Sequence, residues 1–261
     1  VINNGTIRLG GDVTSNSKEA FNYNNGKVIL CGENKQSISN FPIYNLSVEN
    51  SCGIKLNSSI YVYGDFQLNN NPIQCDDNTI YLYSNAKLSK GNYGNISILD
   101  DYVLNEPLTI LGDFTFNVYD KKFTNNSTLT VRKNFNLLNY THFNNNGNLI
   151  VYGNMINGYA ERGYKKYYSI LNMNNEKAVI KAGGNIIFED GGLKVSKGKL
   201  ILIGESVQNV TASNVSEIII NNTSEDGVVF TTEITPSILF NHNGNKFTLY
   251  NDGVGSSFVD Y

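Results

Sequence analysis

Cleaving a sugar or acyl bond by acid–base chemistry needs two carboxylates with divided roles, held on one face by neighbouring segments. The chain offers two adjacent pairs, Asp76–Asp77 and Asp100–Asp101. Each pair lies in a polar turn (QCDDN and ILDDYV), where Asp is common because its side chain bonds nearby backbone. The histidine and basic motifs expected of pectin-type hydrolases and lyases are missing, so both pairs read as turn residues. His142 and His242 are the only histidines, each in an Asn-rich stretch (THFNNN and FNHNGN). With no Cys nearby and no evident Ser or Asp partner, they read as exposed loop residues, not members of a triad or metal site. The glycine pairs at 10–11 and 183–184 lack the following helix that a phosphate loop requires, and read as corners. No catalytic residue, cofactor or metal ligand is therefore assigned.

Two groups of residues suit contact chemistry instead. Tyr61, Tyr63, Tyr81, Tyr83 and Tyr152 occupy outward positions of alternating segments, and Tyr63, Tyr83 and Tyr152 share the fourth position of theirs. Stacked segments would align them in columns. The favoured reading is stacking from one segment to the next; the other is a contact surface for a glycan or a host or cell-surface protein. Residues 157–168 (NGYAERGYKKYY) break the pattern and read as an insertion loop. There Tyr159, Arg162, Tyr164, Lys165 and Lys166, with Tyr167 and Tyr168, mix aromatic and cationic groups. Such a loop is either simply solvated or a contact for an acidic glycan or protein partner.

Composition limits what can position these residues. With 24 Gly, 43 Asn and 4 Pro among 261 residues, turns are everywhere and long helices are disfavoured. Ile, Val, Thr, Tyr and Phe suit a pleated surface. A net charge of −3, with 20 basic and 23 acidic residues scattered along the chain, gives no basic stripe for nucleic acid. No apolar run is long enough to insert in a membrane. Cys31, Cys52 and Cys75 leave at least one thiol unpaired in a monomer, occupy different phases of the repeat, and read as ordinary small thiols. The start at Val1 reads as a processed chain or an excised segment.

The positioning element is a repeat: apolar, any, apolar, any, Gly, Asp or Asn, apolar. It occurs at Ile7–Val13, Ile60–Phe66, Leu108–Phe114, Leu149–Met155 and Ile180–Ile186, and in a degenerate form at Leu129–Phe135, where Lys133 replaces the Gly. The first and third residues point inward, Gly permits a sharp corner, and the Asp or Asn bonds nearby backbone. Copies starting at 108, 129 and 149 are 21 and 20 residues apart. A longer repeat matches Gly26–Gln36 (GKVILCGENKQ) to Gly198–Gln208 (GKLILIGESVQ) at seven of eleven positions, followed at one offset by Leu46–Asn50 and Ile218–Asn222. A β-sandwich would also recur in short strands, but it would not repeat a seven-residue signature. The expectation is an all-β, right-handed parallel β-helix (β-solenoid) of about 13 coils, forming a single domain over 1–261.

The segments GKLILIGESVQNV (198–210), SEIIINNTSEDGVVFTTEI (216–234), GNLIVYGNM (147–155) and LNMNNEKAVIKAGGNIIFED (171–190) resemble repeats of large secreted or surface β-helix proteins, adhesin-like exoproteins, of clostridia-like bacteria. The resemblance covers most of the chain, is strongest over 147–234, and departs at Lys133, at Ser84 and over 115–127. It implies a right-handed β-helix stalk and carries no catalytic residues to transfer. The expected function is a non-enzymatic, extracellular structural or adhesive module at the cell surface. The alternative is a polysaccharide hydrolase or lyase on the same fold. With no helical cap evident at either terminus, self-association of the solenoid ends into a filament is a further expectation.

Overall fold

Strict alternation builds the walls of this molecule. Ile60 and Val62 are 1% and 0% exposed, whereas Tyr61 between them stays half-buried, because successive side chains of a strand point to opposite faces. The same inward set continues through Phe66 in the next wall. The computed structural model describes residues 4–15, 25–41, 43–83, 86–89, 91–212, 214–232 and 239–249. Ser84 and the terminal residues invoked for end-to-end pairing lie outside that set.

The described residues form strands and turns with no helix, and the strands stack in parallel as a β-solenoid of about 11 turns. That is fewer than the expected 13, because the turns are not uniformly 20 residues long. Asn134 and Asn154 occupy equivalent places 20 residues apart, but the next two steps, to Asn185 and Asn209, take 31 and 24. The 31-residue turn contains the insertion at 157–168.

The chain divides into two compact units: Val1–Tyr102 with Pro107–Phe114, and Val103–Glu106 with Thr115–Tyr261. In the first, one wall stacks Thr6–Leu9, Lys27–Leu30, Asn45–Val48, Asp65–Gln67 and Lys87–Leu88. A second stacks Val13–Thr14, Gln36–Ser39, Ile54–Leu56 and Ile73–Gln74, and a third contains Ile60–Val62, Thr79–Leu82 and Asn95–Ile98. In the second unit one wall stacks Thr128–Val131 and Asn148–Val151 on the longer strands Ile170–Ala182 and Leu193–Leu202. Its core is a column of rings: Phe123 stacks on Phe143 at 4.8 Å, and Phe135 meets Phe143 edge-on at 5.0 Å. All three are 0% exposed, each contributing about 1.5–3 kcal/mol of burial.

The corners differ from expectation in one respect. None of the signature glycines, Gly11, Gly64, Gly112, Gly153 and Gly184, has a positive φ. At most of them the constraint is space: a Cβ on Gly153 would sit 2.6 Å from the Lys133 carbonyl oxygen, and one on Gly184 would sit 2.5 Å from the Gly153 backbone. At four of the copies the Asp or Asn that follows bonds backbone, but that of the next coil. The Asn134, Asn154 and Asn185 side-chain oxygens accept from the backbone N–H of Asn154, Asn185 and Asn209 at 3.1, 2.9 and 2.8 Å. Asp12 does the same for Ser37 at 2.7 Å.

The longer repeat encodes a buried lock that occurs once in each unit. Gln36 donates to the carbonyls of Leu9 and Gly11 in the preceding coil and accepts from the Gly32 N–H. Asn50 donates to the same Gln36 oxygen at 3.1 Å and to the Asn34 carbonyl. Gln208 and Asn222 reproduce each bond, with Ala182, Gly184, Gly204 and Ser206 as the partners. All four side chains are 1–2% exposed, so the lock must be satisfied throughout.

Candidate functional site

Because the strands pair in parallel and in register, equivalent outward residues fall into columns at the rung spacing. In the first unit Tyr61 faces Tyr81 in the register, and their rings stack at 4.8 Å and 14°. Tyr63 and Tyr83 follow at 4.4 Å and 11°. Their column is set by backbone bonds from Tyr63 to Ile43, from Tyr83 to Val62 and from Leu99 to Leu82, so it runs Tyr44, Tyr63, Tyr83, Leu99 without a gap.

The column that holds the same repeat position in the second unit follows the strands of another sheet and runs Arg132, Tyr152, Gly183, Ile203, fixed by backbone bonds from Tyr152 to Val131, Gly183 to Val151 and Ile203 to Ala182. Tyr152 holds the same repeat position as Tyr63 and Tyr83, but its strand Asn148–Val151 belongs to a different sheet from Ile60–Val62 and Thr79–Leu82, so the three do not align in one column and its neighbours differ. The Arg132 guanidinium lies 4.5 Å from the Tyr152 ring centroid on one side. On the other side the next rung is Gly183, which has no side chain, and Tyr152 is 46% exposed. A groove of about 650 Å³ opens there, floored by Gly153, Gly183, Gly184 and Gly204 and walled beyond by Ile203, Glu205 and Val207.

The insertion is a β-hairpin rather than a loop. Tyr159–Arg162 pairs antiparallel with Lys165–Tyr168, joining Tyr159 to Tyr168 and Glu161 to Lys166 across the strands. Gly163 takes φ +62° at the first loop position, where two-residue hairpins favour glycine. The hairpin lies against earlier coils: the Arg162 guanidinium is 3.7 Å from the Tyr119 centroid, and Tyr167 meets Tyr140 at 5.3 Å. Tyr140 also contacts Tyr119 and His142, and holds φ +60°, a strained conformation for a bulky residue. The Lys166 ammonium sits 4.4 Å over Tyr159, whose hydroxyl hydrogen bond and charge raise the lysine pKa. At the tip Tyr164 is fully exposed and Lys165 projects without a protein partner among the described residues.

The hairpin thus carries Tyr159 and Lys166 on one face, Arg162 and Lys165 on the other, and Tyr164 at its tip. Tyr61, Tyr63, Tyr81 and Tyr83 belong to the filled columns of the first unit, and Tyr152 borders the groove. The sequence reading missed Tyr119 and Tyr140, which lie outside the insertion. It also missed an acidic neighbour of His142. That residue is a half-buried member of the strand His142–Asn145, not a loop residue, and its Nε2 lies 3.5 Å from Asp120 Oδ1, one coil earlier.

The paired carboxylates are placed as turn groups. Asp76 accepts from Gln74 at 3.0 Å and lies 3.6 Å from the Lys55 ammonium of the preceding coil. The Gln74 hydrogen bond, helped by Lys55, holds its carboxyl below the ordinary value, opposite to the shift a proton donor needs. Asp100 accepts from its neighbour's backbone, the Asp101 N–H, at 2.9 Å. The three cysteines are free thiols: Cys52 is exposed, Cys31 half-buried, and Cys75 buried, its thiol pushed up to about 11 by desolvation. Among the described residues no three His, Cys, Asp or Glu side chains converge as metal ligands. No known protein family, curated protein sequence or solved structure matches this chain.

Proposed function

We propose that this chain is a non-enzymatic structural and adhesive β-solenoid module of an extracellular, cell-surface protein. One observation carries that reading. Polar side chains that recur along the coils bond the adjacent coil, as the side-chain oxygens of the Asn134–Asn154–Asn185 series and the two Gln–Asn locks do. Residues that hold rungs together in this way build a spacer. The hairpin adds aromatic and cationic groups at the surface, Tyr164 and Lys165 at its tip among them. They suit contact with a glycan or a cell-surface protein better than bond cleavage.

The test is a depolymerisation assay on soluble polysaccharides, acidic and neutral, reading new reducing ends and unsaturated products over a long incubation. The expected result is no turnover above a boiled control. Turnover that disappears in Asp76→Asn would replace this reading with the hydrolase or lyase alternative. In a cell-surface binding assay, the combined Tyr164→Ala and Lys165→Ala variant is expected to lose adhesion while keeping the wild-type melting temperature.

A further inference from the structure

The groove beside Tyr152 is a ladder with one ring missing. In the first unit, the place next to Tyr63 holds the Tyr83 ring, stacked nearly parallel at 4.4 Å. In the second unit the corresponding place belongs to Gly183, and the next side chain in the column is that of Ile203. Tyr152 and Ile203 are two rungs apart, roughly 9.5 Å. A flat ring in van der Waals contact with both walls needs roughly 7–8 Å. One ring fits between them and two do not.

The slot cannot be closed by a side chain at Gly183 itself, since a Cβ there would lie 2.8 Å from the Tyr152 carbonyl oxygen. Tyr152 is backed by Arg132 on its far face, which holds the aromatic wall in place. The polar groups at the rim are of both kinds. The Glu205 carboxylate has no protein partner among the described residues. Asn154 and Asn185 use their side-chain oxygens on the next coil, leaving their NH2 groups as donors.

An aromatic wall, an aliphatic wall and a rim of one carboxylate and two amides match the chemistry of a pyranose. Such a ring has an apolar C–H face and a belt of hydroxyls that donate and accept. We infer that the slot between Tyr152 and Ile203 binds one pyranose ring of a neutral glycan, stacked on Tyr152 in the place that Tyr83 fills beside Tyr63. Glu205 selects against acidic sugars by repulsion and accepts from ring hydroxyls. The inference rests on the reading of the chain as a contact module and names a ligand class for a site apart from the hairpin.

The experiment is isothermal titration of the whole chain with short soluble oligosaccharides of glucose, galactose, mannose and N-acetylglucosamine, beside oligogalacturonate and a tyrosine-rich peptide. At least one neutral oligosaccharide is expected to bind. Tyr152→Ala should weaken it about two- to tenfold, the scale of one lost stacking contact. Tyr152→Phe should retain binding, and Tyr63→Ala should leave it unchanged. Ile203→Ala, which removes the aliphatic wall without touching Tyr152, should also weaken it. The inference is overturned if no neutral oligosaccharide binds, if binding survives both Tyr152→Ala and Ile203→Ala, or if only oligogalacturonate or the peptide binds. None of these outcomes depends on the depolymerisation assay: turnover with an intact slot would sink the module reading alone.

Discussion

Two columns of this molecule start from the same position of the same repeat and reach different ends. In the first unit Tyr63 and Tyr83 cover one another, and both are half-buried. In the second, Tyr152 is covered by Arg132 on one side and by nothing on the other, because the next rung is glycine. The inner residues beneath follow suit: Val62 and Leu82 under the filled column, Val151 and Ala182 under the open one. A β-solenoid therefore needs no change of fold to turn a stabilising ladder into a recognition slot. Omitting one side chain between two that remain is sufficient.

The largest contrast between the units is expected at alkaline pH. The first holds three buried acids raised by desolvation: Cys75 to about 11, and Tyr93 and Tyr102 each to about 12. Their ordinary values are 9.0 and 10.0, so all three are protonated in both states below pH 9 and their contribution is intact there. Between about 9 and 12 the unfolded chain ionises first and the folded state loses stability. The loss is about 1.4 kcal/mol for every pH unit that separates a group's folded pKa from its unfolded one. Hydrogen exchange across that window should show the first unit opening before the second. Tyr102→Phe should lessen the loss above about pH 10, while Cys75, with the lowest ordinary value, still sets the onset.

Next in size are the two locks. Gln36→Ala and Gln208→Ala each strand buried backbone groups and the paired Asn, and each should cost about 3 kcal/mol in denaturant unfolding. Equal losses would confirm that the long repeat encodes one device used twice. A loss confined to one unit would break that equivalence. Completing the open column by Gly183→Tyr should then destabilise by about 1–3 kcal/mol, since the new Cβ meets backbone before its ring can stack. A stable, stacked variant would show that the gap is not enforced by the fold. The smallest effect is the coupling within each column. A double-mutant cycle on Tyr63 and Tyr83 should return about 0.5–1.5 kcal/mol, and one on Tyr152 and Ile203 close to zero.

Much of this was legible in the sequence because period-two alternation and the Gly-Asn corner are local. Ile60, Val62 and Phe66 point inward, and Tyr61 and Tyr63 outward, as the repeat requires. The targets of the corner Asn residues were not legible, since they lie one coil away and the coil length varies from 20 to 31 residues where the hairpin enters. Distance along the chain also hid Tyr119 and Tyr140 beneath the hairpin, and Asp120 beside His142. Gly183 was in view as part of the signature copy at Ile180–Ile186. Its consequence depends on Tyr152 and Ile203 standing on either side of it, which only the stacked register reveals.

The most direct test of the missing-rung account is the structure of crystals soaked in the tightest-binding neutral oligosaccharide. The account predicts one pyranose ring over Gly183, its C–H face on Tyr152 and its hydroxyls toward Glu205. Density for the sugar against the filled Tyr63–Tyr83 column, with the Gly183 slot empty, would contradict it.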